Sequence, residues 1–88
     1  MEFRWNDWNV DHATQHGVSV EEIETLIEAA RPPYPEDVGR GKWMVVGQSP
    51  GGRFVQVLYV VDDDGTIYVI HARPLNDREK RRFRRRMR

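Results

Sequence analysis

The chain contains no cysteine, and that absence removes a disulfide framework, a thiolate zinc site and a cysteine nucleophile together. An intracellular, cytoplasmic protein is the expectation that follows. The chain also lacks any apolar run near the roughly 20 residues a bilayer-spanning helix needs. Its first residues, Met1-Glu2-Phe3-Arg4-Trp5-Asn6-Asp7, are too polar for the apolar stretch of a secretion signal. Histidine is scarce, with only His12, His16 and His71, and there is no HExxH pattern. His12 and His16 stand at i, i+4 with Asp7 or Asp11 as conceivable further ligands, but no third histidine lies near in sequence, so neither a metal nor another cofactor is expected. The Asp62-Asp63-Asp64 run lacks the ligand spacing of a calcium loop and reads as a turn.

What the chain does have is a charge dipole. Its formal net charge is zero, yet Met1 to Ala72 carries twelve carboxylates against five basic side chains, and Arg73 to Arg88 carries nine basic side chains against two carboxylates. A cationic end of this density can collect phosphates, provided a polyanion docks away from the acidic body. Eighty-eight residues suffice for one domain that buries roughly 60–65% of its unfolded surface. The composition, 32% charged and 39% apolar with the apolar residues in periodic clusters, is that of a folded domain. The last few arginines are the one stretch whose composition is compatible with disorder.

Phe3 and Trp5 alternate with polar neighbours and read as a short first strand, with Asn6 to Asn9 able to cap a helix that runs to about His16. Gly17 suits a left-handed helix end, and Ser19 with Glu22 makes a capping box for a second helix. Ile23, Leu26, Ile27 and Ala30 place one apolar stripe on that helix, opposite Glu21, Glu24 and Glu28. Pro32, Pro33 and Pro35 end it and open a loop through Gly41. Three strands follow, near 42–46, 54–61 and 66–71, divided by Pro50-Gly51-Gly52 and Asp62-Asp63-Asp64-Gly65. Pro74 closes the last of them, and Asn76 with Glu79 caps a final basic helix. The predicted fold is α+β, ordered β-α-α-β-β-β-α, with a four-stranded antiparallel sheet completed by the first strand. Trp5, Trp8 and Trp43 read as packing residues.

Three segments in this order have a family likeness: Trp5 with His16-Gly17-Val18-Ser19-Val20-Glu21-Glu22, then Gly41-Lys42-Trp43 with Gly47 and Gly52-Arg53, then Ile70-His71-Ala72-Arg73 with Arg78-Glu79-Lys80-Arg81-Arg82-Phe83. Across nearly its whole length the chain resembles the BrnT family of type II toxins. The resemblance implies a RelE-like fold and an endoribonuclease that cleaves mRNA. It also implies neutralisation by a small DNA-binding antitoxin of ribbon-helix-helix type, in a homodimer or a toxin–antitoxin hetero-oligomer. His71 stands where many members have Ser, and the first helix has few of the usual lysines.

Metal-free RNA cleavage uses the ribose 2′-OH as nucleophile. It needs a base near that hydroxyl, an acid near the 5′ leaving oxygen and cations on the phosphorane. Arg73 at the end of the last strand can clamp a phosphate bidentately, or pair with one of the chain's carboxylates. Arg53, after the double-Gly turn, is a second clamp or a solvated turn residue. His71 shares strand parity with Ile67, Val69 and Arg73, and serves as acid or base unless it is a satisfied structural histidine. Glu79 is a possible base or simply the capping glutamate. Tyr59 and Tyr68 can stack on bases or pack in a sheet. Arg78, Arg81, Arg82 and Arg85 share one face of the final helix, opposite Glu79, Phe83 and Met87, and offer a phosphate-binding stripe. A non-catalytic nucleic-acid-binding or protein-binding module using the same helix is the alternative.

Overall fold

A computed structural model describes all residues, 1–88. Three helices, α1 (Asp7–Thr14), α2 (Val20–Glu28) and α3 (Asp77–Arg86), accompany four strands, β1 (Glu36–Asp37), β2 (Lys42–Gln48), β3 (Phe54–Val61) and β4 (Ile67–Pro74). The strands form one antiparallel sheet in the order β1-β2-β3-β4. The architecture is α+β, as the apolar periods require.

Each helix begins on a reciprocal capping box. Asn6 with Asn9, Ser19 with Glu22, and Asn76 with Glu79 each satisfy two otherwise orphaned backbone donors. Asn9 is fully buried and its Nδ2 also donates to the Arg4 carbonyl at 3.0 Å, fixing the entry of the chain into α1. The turn after α1 is closed by Gly17, at φ 84°, whose N–H donates to Thr14 O at 3.0 Å.

The sheet is sandwiched. Ile23, Leu26 and Ile27 of α2 and Ala13 of α1 form one cluster with Val45, Val55, Val57, Tyr59, Ile67, Val69 and Ala72. Each fully buried aliphatic side chain there contributes about 1.5–3 kcal/mol. Gly47 admits α2 closely: a Cβ at that position would lie 3.3 Å from Leu26 Cδ2. On the opposite face α3 packs through Phe83, whose ring centroid is 5.9 Å from Phe54 and 6.2 Å from Tyr34.

Two expectations are corrected. Phe3 does not build the fourth strand. It makes one parallel bridge to Ile67, with Ile67 N–H donating to Glu2 O at 2.9 Å and Arg4 N–H to Ile67 O at 2.8 Å. The segment is too short to continue, because Asn6 already caps α1. The fourth strand is instead Glu36–Asp37, inside the proline-rich segment read as loop, and its register is Glu36 with Met44 and Asp37 with Trp43. The helix at the C-terminal end runs to Arg86, which pairs with Glu36 and lies over Tyr34.

The second correction concerns alternation in β4. Leu58 pairs with His71 but Tyr59 pairs with Val69, so Ile70 is the extra residue of a bulge. Val69 and Ala72, three apart, are both fully buried. Arg73 pairs with Gln56 and leaves the sheet on the α3 face, opposite Ile67 and Val69.

Candidate nucleic-acid interface

The bulge sends Arg73 towards the first turn of α3. Its Nη1 and Nη2 donate to Glu79 Oε1 and Oε2 at 2.8 and 2.6 Å, and Nη1 donates again to Pro74 O at 3.2 Å. A guanidinium has five N–H donors, so the Nε hydrogen and one Nη2 hydrogen remain uncommitted. The side chain is one-third exposed. Glu79 also accepts the Asn76 N–H at 3.0 Å, and Arg73 with this capping bond holds its carboxyl at about 2, well below the usual carboxylate range. A carboxylate so fully ionised and so fully bonded positions Arg73; it is a poor proton acceptor at neutral pH.

His71 sits half-buried beside this pair. Its Nδ1 is buried without a hydrogen-bond partner, and its ring centroid lies 5.4 Å from that of the exposed His16, tilted by 56°. Burial first, then the neighbouring His16 and Arg73 charges, push the His71 imidazole below the ordinary histidine value. It is therefore neutral at pH 7 and available to accept a proton. The His16–His71 pair escaped sequence reasoning, which grouped His16 with His12. His12 instead bonds through Nδ1 to Trp8 O at 2.7 Å and stacks on Trp8 at 3.8 Å, and no three His, Cys, Asp or Glu side chains come together as a metal site.

Arg53 is placed differently from the expectation of a shared clamp. Its Nη2 donates to Gly17 O at 2.7 Å and to Glu22 Oε1 at 2.6 Å, with Nε 3.3 Å from Glu22 Oε2. Arg53 holds the Glu22 carboxyl at about 2, and the Ser19 capping bond assists. Arg53 and Arg73 thus stand at the same end of the sheet but on opposite faces, each tied to the capping glutamate of a different helix. They meet only through the string Arg53, Gly17, His16, His71, Arg73, which passes round the β4 edge.

The expectation for Tyr59 is corrected too. Tyr59 is 5% exposed, on the core face, and burial pushes its hydroxyl upward, so it offers no stacking surface. Tyr68 carries the Arg4 guanidinium 4.0 Å above its ring, donates to Asn6 Oδ1 at 3.2 Å and stacks beside Trp8. Trp8, read as a packing residue, is half exposed.

The basic stripe is as the helical spacing placed it. Arg78, Arg81, Arg82 and Arg85 are exposed on α3 and none lies within ion-pair distance of a carboxylate. Arg84, over Phe54 at 5.1 Å, and Arg88 extend the same unneutralised surface. Lys80 and Arg86 are the exceptions, paired with Asp77 and Glu36. Four like charges at i, i+3 and i+4 spacings raise each other's cost in the free protein, a cost an anionic ligand removes.

No helix is long and apolar enough to cross a membrane. No protein-family model, curated protein or solved structure matches the chain. The arrangement is that of a small α+β domain whose basic helix starts at an Arg73–Glu79 pair, with His71 and His16 beside Arg73.

Proposed function

We propose that this chain is a BrnT-like, RelE-like toxin: a cytoplasmic, metal-independent endoribonuclease that cleaves mRNA and so inhibits translation. The observation that supports the reading is that Arg73, beside His71 and bonded to Glu79 in the first turn of α3, sits at the start of the helix that carries the unpaired arginines, with His16 next to His71. In this reading Arg78, Arg81, Arg82 and Arg85 hold the strand, and the two uncommitted Arg73 N–H groups bind the phosphoryl oxygens of the scissile linkage. Neutral His71 takes the 2′-OH proton as the oxygen attacks phosphorus. The P–O5′ bond breaks, with His16 as the proton donor to the departing 5′ oxygen. The products are a 2′,3′-cyclic phosphate and a 5′-hydroxyl end. Glu79 and Glu22 act as positioning residues through Arg73 and Arg53. The partners of this reading are RNA and a cognate ribbon-helix-helix antitoxin, in a hetero-oligomer or with the toxin as a homodimer.

Product analysis is the test. Purified protein, incubated with single-stranded RNA in chelator, is expected to leave cyclic phosphate ends; RNA that stays intact overturns the reading. The pairing of Arg73 and Arg53 with carboxylates favours a second reading, a non-catalytic nucleic-acid-binding module. It gives salt-dependent binding, with a log–log slope of about −0.7 per phosphate contact, and no new ends.

A further inference from the structure

The sheet face that carries Arg73 also carries an amide with nothing to bond. Gln56 is the partner of Arg73 across β3 and β4, so the two side chains leave the same face with their Cβ atoms about 5 Å apart. Between that face and α3 lies an opening of about 90 Å³, lined by polar Gln56, Glu79 and Arg82 and by apolar Met44, Val46 and Phe83. Glu79 is committed to Arg73 and to the Asn76 N–H. Arg86, also in the lining, is committed to Glu36. Two groups stay free. Arg82 has no carboxylate within ion-pair distance, and the half-buried Gln56 amide takes part in none of the side-chain hydrogen bonds of the fold. An amide among apolar neighbours loses water without gaining a partner, so Leu or Val would serve packing alone at lower cost.

The pattern of this amide selects the occupant. A primary amide presents a donor and an acceptor side by side in one plane, the complement of adenine N6–H and N7. Guanine shows two acceptors at that edge and sets one of them against the amide oxygen. Pyrimidines offer a donor and an acceptor on a single ring, and so cover less of the apolar lining. We propose that the opening is a nucleobase subsite: with a phosphate of a single strand on Arg73 and Arg82, an adjacent adenine docks its N6–N7 edge on the Gln56 amide. The opening admits the edge of the base, and Met44, Val46 and Phe83 give that edge apolar contact. This inference rests on the reading of Arg73 as a phosphate ligand and adds base selection to it, whether or not the strand is cut.

The test uses short 2′-O-methyl oligouridines that differ only in one central base, A, C, G or U, bound to the isotopically labelled full chain. The adenine strand is expected to bind about tenfold tighter than the all-uridine strand and to shift the Gln56 side-chain amide resonances. Gln56→Leu and Gln56→Met, two apolar replacements of similar size at a half-buried position, are expected to bring the adenine strand to the affinity of the uridine strand while the chain stays folded. Equal affinity for all four strands overturns the proposal, as does a preference for guanine or a pyrimidine. So does an adenine preference that survives in a folded Gln56 variant or leaves the Gln56 amide unmoved. These strands lack the nucleophile, so RNA that stays intact in the product analysis bears on cleavage alone, and equal affinities here bear on base selection alone. Absence of binding by every strand at about 1 mM overturns base selection and the RNA interface together.

Discussion

Arg73 at the end of β4 and Glu79 in the first turn of α3 are joined by two parallel N–H···O bonds of 2.8 and 2.6 Å. The same glutamate closes the capping box of α3, so one carboxylate fixes both the helix start and the strand-end cation. Arg53 and Glu22 repeat the device on the opposite face, where the capping glutamate of α2 fixes the start of β3. Helix docking and cation placement are thus one event at each site.

Glu79→Gln keeps a capping side chain but removes the charge that holds Arg73. We expect a loss of about 1–3 kcal/mol in denaturant unfolding, in the range of a charge-assisted bond left partly unmade. RNA affinity should rise in the same variant, because Arg73 gains free donors. An unchanged affinity would show that Arg73 takes no part in RNA binding.

Acid should expose both glutamates. Their folded-state values of about 2 lie below the ordinary unfolded value, so the stability they give is complete above about pH 4.5. It is lost as pH falls from there through about 2. After allowance for solvent screening of partly exposed pairs, about 1–2 kcal/mol each is expected. Urea midpoints of Glu22→Gln and Glu79→Gln should converge on that of the parent near pH 2. A gap that persists there would mean the ion pairs are not the source.

His71 carries the opposite sign. Its folded value is depressed for a base, so the folded state prefers the neutral ring and stability falls as pH drops below about 6.5. The ring resonances of His71 should titrate at lower pH than those of a histidine in an unfolded peptide. Cleavage, if His71 is the base, loses rate over that same acid limb, and His71→Gln flattens the limb while keeping a folded spectrum.

Arg81→Glu with Arg85→Glu reverses two exposed charges that touch no carboxylate. Folding stability is expected to change by less than about 0.5 kcal/mol for each. Binding of single-stranded RNA should weaken and its salt slope should shrink by about 0.7 per lost phosphate contact. An unchanged slope would move the interface elsewhere.

The helix starts were legible because a capping box is written within four residues, as in Ser19 to Glu22 and Asn76 to Glu79. The arginine stripe was legible for the same reason, since helical spacing alone decides which side chains share a face. What alternation could not reveal was the bulge at Ile70, which depends on pairing with Leu58 and Tyr59 and carries Arg73 to the other face. Nor could composition reveal β1, because Glu36 and Asp37 have no strand propensity and are strand only by lying beside Trp43 and Met44. The His16–His71 contact joins residues far apart in sequence, and only the packing of α1 along β4 makes it.

The most direct measurement of the central claim is an amide and histidine-ring NMR titration with a 2′-O-methyl oligonucleotide, which keeps the phosphates but lacks the nucleophile. The account predicts that His16, His71, Arg73 and Arg78 to Arg85 shift together with one dissociation constant. Shifts confined to the end of α3, with His71 and Arg73 unmoved at saturation, would contradict it.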